Sequence, residues 1–600
     1  MMRNAGNFLG CGWISDHQLL LFALLAATLT TACDFPRPPD VPGPDDDKVA
    51  PTVVATNPQA HAAGIVPVAV PTISVTFSED IDVQGGSQFS VTSAGGDVQG
   101  TVVADGATLT FRPSSPLVTG APFTVSVDGV ADIAGNKLAA TYTFDFTTRT
   151  TLCVKEGGGD GCRALPSEAI AAATAGASIA IAAGNYVDNF VIDKTINLLG
   201  GFDSSFATRD SSRNITTIRP KALASMNLSI VDISTGASLL DGITLTAGDS
   251  GGEHGGALRV SGGTPRIQNS VISGNTASFL AGGVYIFNAT NVQLAGNRIE
   301  NNTLNGLNNS GGGVAVENST VLFRDNVISG NRVSGASTQG GGVVLYGSTA
   351  TFINNRIEGN HVGGSGQVGN GGGVASSNSH VTMIGGTISR NDTGDTTGSG
   401  GGLYVNMGDA RLDGVRVEGN AGGPLADAGA SGIHSTSARL VVAGSIIAGN
   451  LGGTAGVSVG PQGTAAIINC TIADNPMQGI NTTGYLTVVN SVILREPVGI
   501  TVSGSPVPPL LVRTNALFAN TANAAGMTLD ASNMIVDPKL DATLHLIAGS
   551  PLIDAAMPGP IQTADAFSPP VELPTKDIDG DPRILGAKPD IGADEFRPSP

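Results

Sequence analysis

A short motif recurs through the middle of the chain, with a spacing of roughly 25 to 31 residues. Each unit starts with two or three glycines, continues with alternating apolar residues, as in Gly311–Val316, and ends in an asparagine. Self-similarity at this period indicates a solenoid, in which every unit forms one coil. The closing asparagines are Asn275, Asn302, Asn331, Asn360, Asn391, Asn420, Asn450 and Asn475.

The pattern inside a unit indicates strands. Val314 and Val316 alternate with Ala315 and Glu317, which is the period of a strand with one buried face. We expect about three short strands and no helix in each coil. Strands that pair only with their counterparts in the next coil form parallel sheets around one apolar core. The predicted fold for residues 150–545 is therefore all-β, a parallel β-helix.

Two further positions repeat at one corner of the coil. The first holds residue types that tolerate positive φ, so each coil is predicted to turn through a left-handed residue there. Those residues are Asn269, Gly296, Asp325, Asn354, Gly385, Gly414, Gly444, Asn469 and Asn490. The next position is mostly small and polar, and its side chains are predicted to hydrogen-bond from coil to coil. Those residues are Ser270, Asn297, Asn326, Asn355, Gly386, Val415, Ser445, Cys470 and Ser491.

The glycine pairs and endings such as Val327–Asn331 resemble the right-handed parallel β-helix repeats of the pectate-lyase-like superfamily. The resemblance covers roughly residues 150–545 and implies that fold. It implies no single function, since the superfamily holds lyases, hydrolases, epimerases and non-catalytic surface proteins. Before the first coil, Pro166 and Ser167 at the start and Gly176 at the end predict a short helix that caps the open core.

The N-terminus resembles a bacterial lipoprotein signal. Leu19–Leu29 is apolar but too short to span a bilayer, and Cys33 follows it. The resemblance implies a signal peptide over residues 1–32 and a lipid on Cys33, with a Pro/Asp-rich linker at 33–50. The predicted location is the cell envelope, lipid-anchored at the outer membrane or cell surface. A plain secretory signal, and hence a secreted protein, is the alternative.

Two smaller regions flank the β-helix. Residues 51–149 contain alternating strands such as Ile73–Phe77, separated by turn residues, and this predicts a two-sheet sandwich. Val75–Asp82 and Tyr142–Thr148 resemble the bacterial Ig-like domain of S-layer proteins. Residues 546–600, with Asp577–Arg583 and Asp590–Phe596, resemble the C-terminal module called choice-of-anchor Q.

The cysteines carry one cross-link prediction. Cys153 and Cys162 flank a glycine-rich loop in a chain bound for an oxidising compartment, so a disulfide between them is predicted. Cys470 is interpreted as a buried free thiol. No paired Cys or His flanks these positions, so no zinc site is expected, and neither another metal site nor a cofactor is predicted.

Charge and motifs limit the function. A net charge of −19 argues against nucleic acid as a partner. No lysine occurs between Ala222 and Pro538, and the active-site motifs of pectin hydrolases and alginate epimerases are not visible. No catalytic residue is therefore assigned. The alternative function is a polysaccharide lyase or glycoside hydrolase acting on an acidic polysaccharide.

The outward positions of the strand after each glycine pair bring four of the scarce aromatic residues, Tyr285, Phe287, Tyr346 and Tyr404, to one face. We call the candidate residues on this face the aromatic strip and predict that it binds a polysaccharide or an envelope or matrix protein. The insertions between closing asparagine and glycine pair are interpreted as a binding ridge, as neutral surface loops, or as loops that bury the rings. The predicted function is a non-catalytic envelope lipoprotein that presents an adhesion, scaffold or glycan-binding surface. The strip consists of Tyr285, Phe287, Glu317, Tyr346, Tyr404 and His434.

Overall fold

The chain is almost entirely β-structure, with an N-terminal sandwich followed by a long parallel β-helix. The predicted signal peptide (1–32), the lipid-attachment residue Cys33 and most of the 33–50 linker lie outside the described residues. No helix in the described part combines the length and hydrophobicity needed to cross a bilayer. The computed structural model describes residues 48–65, 72–82, 88–115, 117, 121–148, 151–159, 162–206, 208–221, 229–251, 254–306, 310–335, 337–363, 368–394, 398–423, 429–504, 509–565 and 569–598.

The sandwich packs two sheets around one apolar core that includes Phe111, Phe123 and Phe146. The alternating strands point every second side chain inward, as in Ile73–Phe77, where Ile73, Val75 and Phe77 are buried. In order of pairing, the first sheet contains Val53–Asn57, Ile73–Phe77, Thr108–Pro113 and Gly100–Asp105. The second contains Ala62–Ile65, Tyr142–Thr148, Pro122–Asp128, Gln88–Ser93 and Gly96–Asp97, and a separate pair joins Ala131–Asp132 to Ile81–Asp82.

The β-helix is built from three ladders of parallel strands, of which the first two merge into one sheet of 25 strands. The first ladder follows the glycine pairs: Phe190–Ile192, Val231–Ile233, Leu258–Val260, Val284–Phe287, Val314–Glu317, Val343–Tyr346, Val374–Ile384, Leu403–Asp413, Ile433–Ser435, Val457–Val459, Gln478–Thr482, Val498–Val502 and Ala522–Ala525. The second shares Val374–Ile384 and Leu403–Asp413 and adds Thr151–Val154, Ser178–Ala182, Asn197–Phe202, Leu239–Asp241, Arg266–Gln268, Val292–Ala295, Thr320–Arg324, Thr349–Ile353, Arg439–Ala443, Thr464–Ile468, Tyr485–Val489 and Leu510–Arg513. The third is the 13-stranded sheet of Gly184–Val187, Thr216–Arg219, Ile243–Thr246, Val271–Ser273, Arg298–Glu300, Val327–Ser329, Arg356–Glu358, Thr387–Ser389, Arg416–Glu418, Ile446–Ala448, Thr471–Ala473, Val492–Leu494 and Ala516–Phe518.

The interior of the β-helix is one continuous apolar column. Val314 pairs with Val343, Val343 with Val374, and Val374 with Leu403, and all four side chains are fully buried. Every coil therefore buries its apolar side chains against those of its neighbours, which a single coil has no means of doing. The predicted all-β fold of a sandwich followed by a parallel β-helix is confirmed.

The repeated corner behaves as predicted. All nine residues at the first corner position have positive φ, from 48° at Asn269 to 63° at Gly296 and Gly414. At the next position the amide of Asn297 donates to Asn326 Oδ1 at 3.0 Å, and Asn326 donates to Asn355 Oδ1 at 2.9 Å. The stacked amides of these three coils thus give their buried corners hydrogen-bond partners.

The closing asparagines form a second, longer ladder. Each Nδ2 donates to Oδ1 of the next residue in the series, at 2.8 to 3.1 Å, from Asn275 to Asn475. The same group also donates to a backbone carbonyl of an earlier coil, as Asn360 does to Ile328. The ladder then meets a carboxyl group, because Asn475 donates to Glu496 at 2.8 Å.

The N-terminal end of the core is covered by the helix Pro166–Ala172, whose Ala169 and Ile170 are buried in the β-helix core. The helix is shorter than predicted because Ala173 is already extended and Gly176 lies in a left-handed turn. The predicted disulfide between Cys153 and Cys162 is present. Cys470 is free and buried.

The C-terminal residues 526–565 and 569–598 fold back onto the outside of the last coils, mostly as turns and isolated bridges. Leu544, Leu546, Leu552 and Ile591 pack on outward side chains of the third ladder. Those outward residues are charged upstream, where Arg416 and Glu418 lie, and become apolar from Ile446 and Ala448 to Val492 and Leu494. The change in outward side chains marks where the C-terminal region docks.

Candidate functional site

The aromatic strip occupies two neighbouring outward columns of the first ladder. In the first column the register runs Arg259, Tyr285, Ala315, Val344, Ala375, Tyr404, His434. In the second it runs Phe287, Glu317, Tyr346, Ser377, Asn406. The structure thus brings all six predicted strip residues to one face.

The two columns differ in exposure. Tyr285 is only 4% exposed, and Ala315 and Val344 are fully buried. Phe287 and Tyr346 are partly exposed. Tyr285 therefore lies beneath the surface that Phe287 and Tyr346 expose, and supports it.

The insertions explain this burial. In coils 276–370 they add two small parallel sheets beyond the three expected strands. Their inward residues Ala277, Leu304, Val333 and Val362 form a separate apolar cluster. The first of these sheets contains Thr276–Ala277, Thr303–Asn305, Arg332–Ser334 and His361–Val362, and the second contains Ser337–Gln339 and Val368–Asn370. Leu280, in the insertion before Gly282, packs against the cluster of Tyr285, Ala315 and Val344, so the insertions form walls beside the first column and the interpretation of them as burying loops is correct for Tyr285. Tyr404 and His434, further along the same column, stay partly exposed.

Glycine lets the insertion return close to the strip. Gly340 has φ of 66°, and a Cβ atom there would lie 2.4 Å from the Val343 carbonyl oxygen and 2.8 Å from Val344. A side chain at this position therefore clashes with the first column and strains the backbone. The recurrent glycines allow the wall to pack directly against the strand.

The strip side chains hold one another in place. The Tyr285 hydroxyl donates to Glu317 Oε2 at 2.5 Å, and the Tyr346 hydroxyl donates to Ser310 at 2.8 Å. Tyr404 stacks on His434 with ring centroids 5.7 Å apart. The partly exposed rings are fixed before any ligand arrives.

Two further aromatic groups extend the strip at its N-terminal end. The ring of His254 stacks on Tyr285 at 4.7 Å and contacts Phe279 at 5.6 Å. Phe279 is 58% exposed and lies in an insertion. The sequence did not point to His254 and Phe279, because both precede the glycine pair of their coil and so lie outside the alternating strands that defined the strip.

The strip carries little charge. Burial raises the pKa of Tyr285, Tyr346 and Tyr404, so these phenols stay neutral. Burial lowers the pKa of His434 to about 4, so its imidazole is neutral at pH 7. Glu317 is the one acidic member of the strip.

An ion pair lies upstream in the first column. Arg259 Nη1 is 3.9 Å from Asp232 Oδ2, and burial raises the pKa of Asp232. Asp232 and Glu317 belong to coils three steps apart, and with about 4.8 Å per step their backbones differ by about 14 Å. Paired carboxyl groups of glycoside hydrolases are about 5 to 9.5 Å apart. The geometry does not place these two acids as such a pair.

A possible cation-binding group lies elsewhere, where the C-terminal region meets the third ladder. In the described part of the chain, the ligand atoms of His545, Asp579 and Asp594 lie within 4.8 Å of one another. Arg416 Nη2 is 3.1 Å from His545 Nε2 and 3.9 Å from Asp579. The guanidinium group already supplies a positive charge to these acids, so an added cation competes with it.

Two family models match parts of the chain. Residues 47–148 match the bacterial Ig-like domain, and residues 256–493 match the right handed beta helix region. The chain has this two-part architecture. No curated protein matches it.

Similar solved structures include the N-terminal part of the bacterial S-layer protein SbsC, at 25% identity over 17% of this chain, with a TM-score of 0.14. The chain spans about a quarter of that protein's length, 24%. The catalytic unit of an α-1,3-glucanase from Streptomyces thermodiastaticus is 12% identical over 77% of this chain and 89% of its own, with a TM-score of 0.35. The pectin methylesterase from Aspergillus niger is 14% identical over 54% of this chain and 84% of its own, with a TM-score of 0.24. With TM-scores this low, none of these likenesses bears on function.

Proposed function

We propose that this protein is a non-catalytic component of the bacterial cell envelope that uses its β-helix to bind a glycan. The observation that carries the proposal is the row of partly exposed, pre-fixed aromatic rings on one face, Phe287, Tyr346 and Tyr404, with Phe279 beside them. Ring faces pack against the C–H faces of sugars, and fixed rings lose little entropy on binding. The described strands of the insertions pair from coil to coil beside the strip.

Attachment to the envelope is part of the proposal. Cys33 carries the lipid, residues 34–50 act as a spacer, and the Ig-like domain holds the β-helix away from the membrane. The bacterial Ig-like match over residues 47–148 supports a location at the cell surface or outside the cell. Labelling with radioactive palmitate, and its loss in Cys33→Ala, tests the anchor.

Binding is favoured over cleavage by the side chains present. A glycoside hydrolase needs two carboxyl groups at close range, and a lyase needs a base beside a group that stabilises the developing charge. In the strip the Glu317 carboxyl group is held by the Tyr285 hydroxyl, and the other acid, Asp232, lies three coils away beside Arg259. Release of reducing ends or unsaturated products from any polysaccharide in the test below contradicts this part of the proposal.

The test measures glycan binding by wild type and by variants of exposed rings. Phe279→Ala removes a ring that is 58% exposed, so binding should weaken at least about tenfold while the melting temperature stays within a few degrees. The matched control is Tyr485→Ala, because Tyr485 is 37% exposed on the second ladder, away from the strip. Equal loss in both variants, or no binding by wild type to any glycan on a broad array, refutes the proposal.

A further inference from the structure

We infer that the glycan bound by the aromatic strip is neutral and that acidic polysaccharides are rejected. The inference rests on the proposed function and specifies its ligand class. It follows from the charges that face the strip and from the hydrogen-bonding groups left available there.

The charges on the strip do not suit an anionic polymer. Arg259 is the one cation in the two outward columns described above, and its charge is balanced by Asp232 at 3.9 Å. Glu317 has no cationic partner among the described residues, so the strip carries one unbalanced negative charge. A polymer with a carboxylate on each sugar would place like charges within a few ångströms of Glu317, and at a partly buried site that repulsion is only weakly screened by salt.

Next to the strip itself the described residues of the insertions supply no compensating cation, and the cation of the first insertion sheet, Arg332, acts on Asp392 instead. The residues of the insertions that pair from coil to coil next to the strip are Ser310, Gln339, Asn370 and Ser399. These side chains are polar and uncharged. The sequence contains no lysine between Ala222 and Pro538, and the chain as a whole carries a net charge of −19. The long-range field therefore opposes an acidic polymer as well.

The available groups instead suit hydroxyl donors. Glu317 Oε2 accepts the Tyr285 hydroxyl, and Oε1 has no protein donor among the described residues. The Glu317 side chain is partly exposed. A sugar hydroxyl can donate to Oε1, and a hydrogen bond to a charged acceptor is among the stronger ones available. Wall residues such as Ser310 and Asn370 offer further neutral partners.

The experiment uses matched pairs of oligosaccharides that differ only in charge. Neutral hexasaccharides with α-1,4, β-1,4 and β-1,3 linkages are compared with the same molecules carboxylated at C6, by calorimetry with the full-length mature protein at low salt. At least one neutral form should bind, and its carboxylated partner should bind at least about tenfold more weakly. Glu317→Gln keeps an acceptor for Tyr285 and should bring the two affinities of that pair to within about threefold, whereas the control Glu358→Gln on the third ladder should not.

Each outcome decides between the two proposals. If a carboxylated form binds as tightly as its neutral partner or more tightly, the inference is wrong while glycan binding stands. If none of the six molecules binds, the inference fails, while the broad array described above decides whether the protein binds glycans at all. If neutral selectivity persists unchanged in Glu317→Gln, the assigned role of Glu317 is wrong.

Discussion

Replacing Glu496 with glutamine should make the protein more stable in mildly alkaline solution. Glu496 takes the place of the closing asparagine in its coil, where its side chain is 1% exposed. Asn475 donates to it through both its backbone and side-chain nitrogens. An ionised carboxylate can accept hydrogen bonds from Asn475 and so continues the asparagine ladder. It has no N–H group, however, whereas each ladder asparagine donates its side-chain N–H to a backbone carbonyl of an earlier coil. Glutamine restores that donor at nearly the same size.

The magnitude follows from the pKa. Burial raises the pKa of Glu496 from 4.5 to about 7, with the nearby Asp474 adding to the effect and Arg495 opposing it. Because a tenfold change in proton affinity is worth about 1.4 kcal/mol, ionising this carboxyl group costs the folded state about 3 kcal/mol. The pKa of Glu496 is higher in the folded protein than in the unfolded protein. The stabilisation by the proton bound to Glu496 is therefore fully present below about pH 4.5 and is lost as the pH rises through 7.

Urea unfolding of wild type and Glu496→Gln at pH 5 and at pH 8.5 measures this effect. The variant should match wild type within about 1 kcal/mol at pH 5 and exceed it by about 2 to 3 kcal/mol at pH 8.5. Burial also raises the pKa of Glu595 to about 7, but Glu595 titrates in both proteins. Its contribution therefore cancels in the difference between their free energies of unfolding. A stability difference that does not change between the two pH values refutes the reasoning.

Three further predictions test other parts of the fold. Asn360→Ala should cost roughly 3 kcal/mol in urea unfolding because it removes one hydrogen bond from each of the buried side-chain amides of Asn331 and Asn391 and leaves the Ile328 carbonyl without its amide donor, whereas exposed Asn305→Ala should cost under about 0.5 kcal/mol. Cys153→Ser should lower stability by about 2 to 3 kcal/mol, and dithiothreitol should have a similar effect on wild type and none on the variant. Leu494→Asp should release the C-terminal region, because Leu494 lies beneath it, and the release is measured as faster trypsin cleavage after residue 526. The control is Ser389→Asp, a residue of the same outward column. Equal cleavage of the two variants contradicts the docking.

The repeat made most of the fold predictable. The apolar column from Val314 to Leu403, the left-handed corner at Asn269 and its equivalents, and the stacked amides from Asn297 to Asn355 all depend on local periodicity. In a solenoid each coil contacts its neighbours, so a pattern visible in one unit fixes its packing in the next. The disulfide was equally predictable because its two cysteines are close in sequence.

The features that were missed depend on contacts between distant segments. The fold-back of residues 526–598 joins Ile591 to Leu494, which are far apart in sequence. A signal existed, since outward residues such as Ile446 and Val492 become apolar where charged residues stood in earlier coils. Burial of the rings was one of three interpretations of the insertions, and the sequence did not single out Tyr285 because the insertion strands have only two or three residues, too few for their alternation to be recognised.

The most direct test of glycan binding at the strip is hydrogen–deuterium exchange with and without a neutral oligosaccharide that binds. Peptides that cover 279–287, 310–317, 343–346 and 403–406 should exchange more slowly in the complex, because their amides lie on or beside the strip. Peptides of the third ladder, such as those covering Arg298–Glu300 and Arg356–Glu358, should be unchanged. Protection confined to the third ladder or to the Ig-like domain would contradict the account.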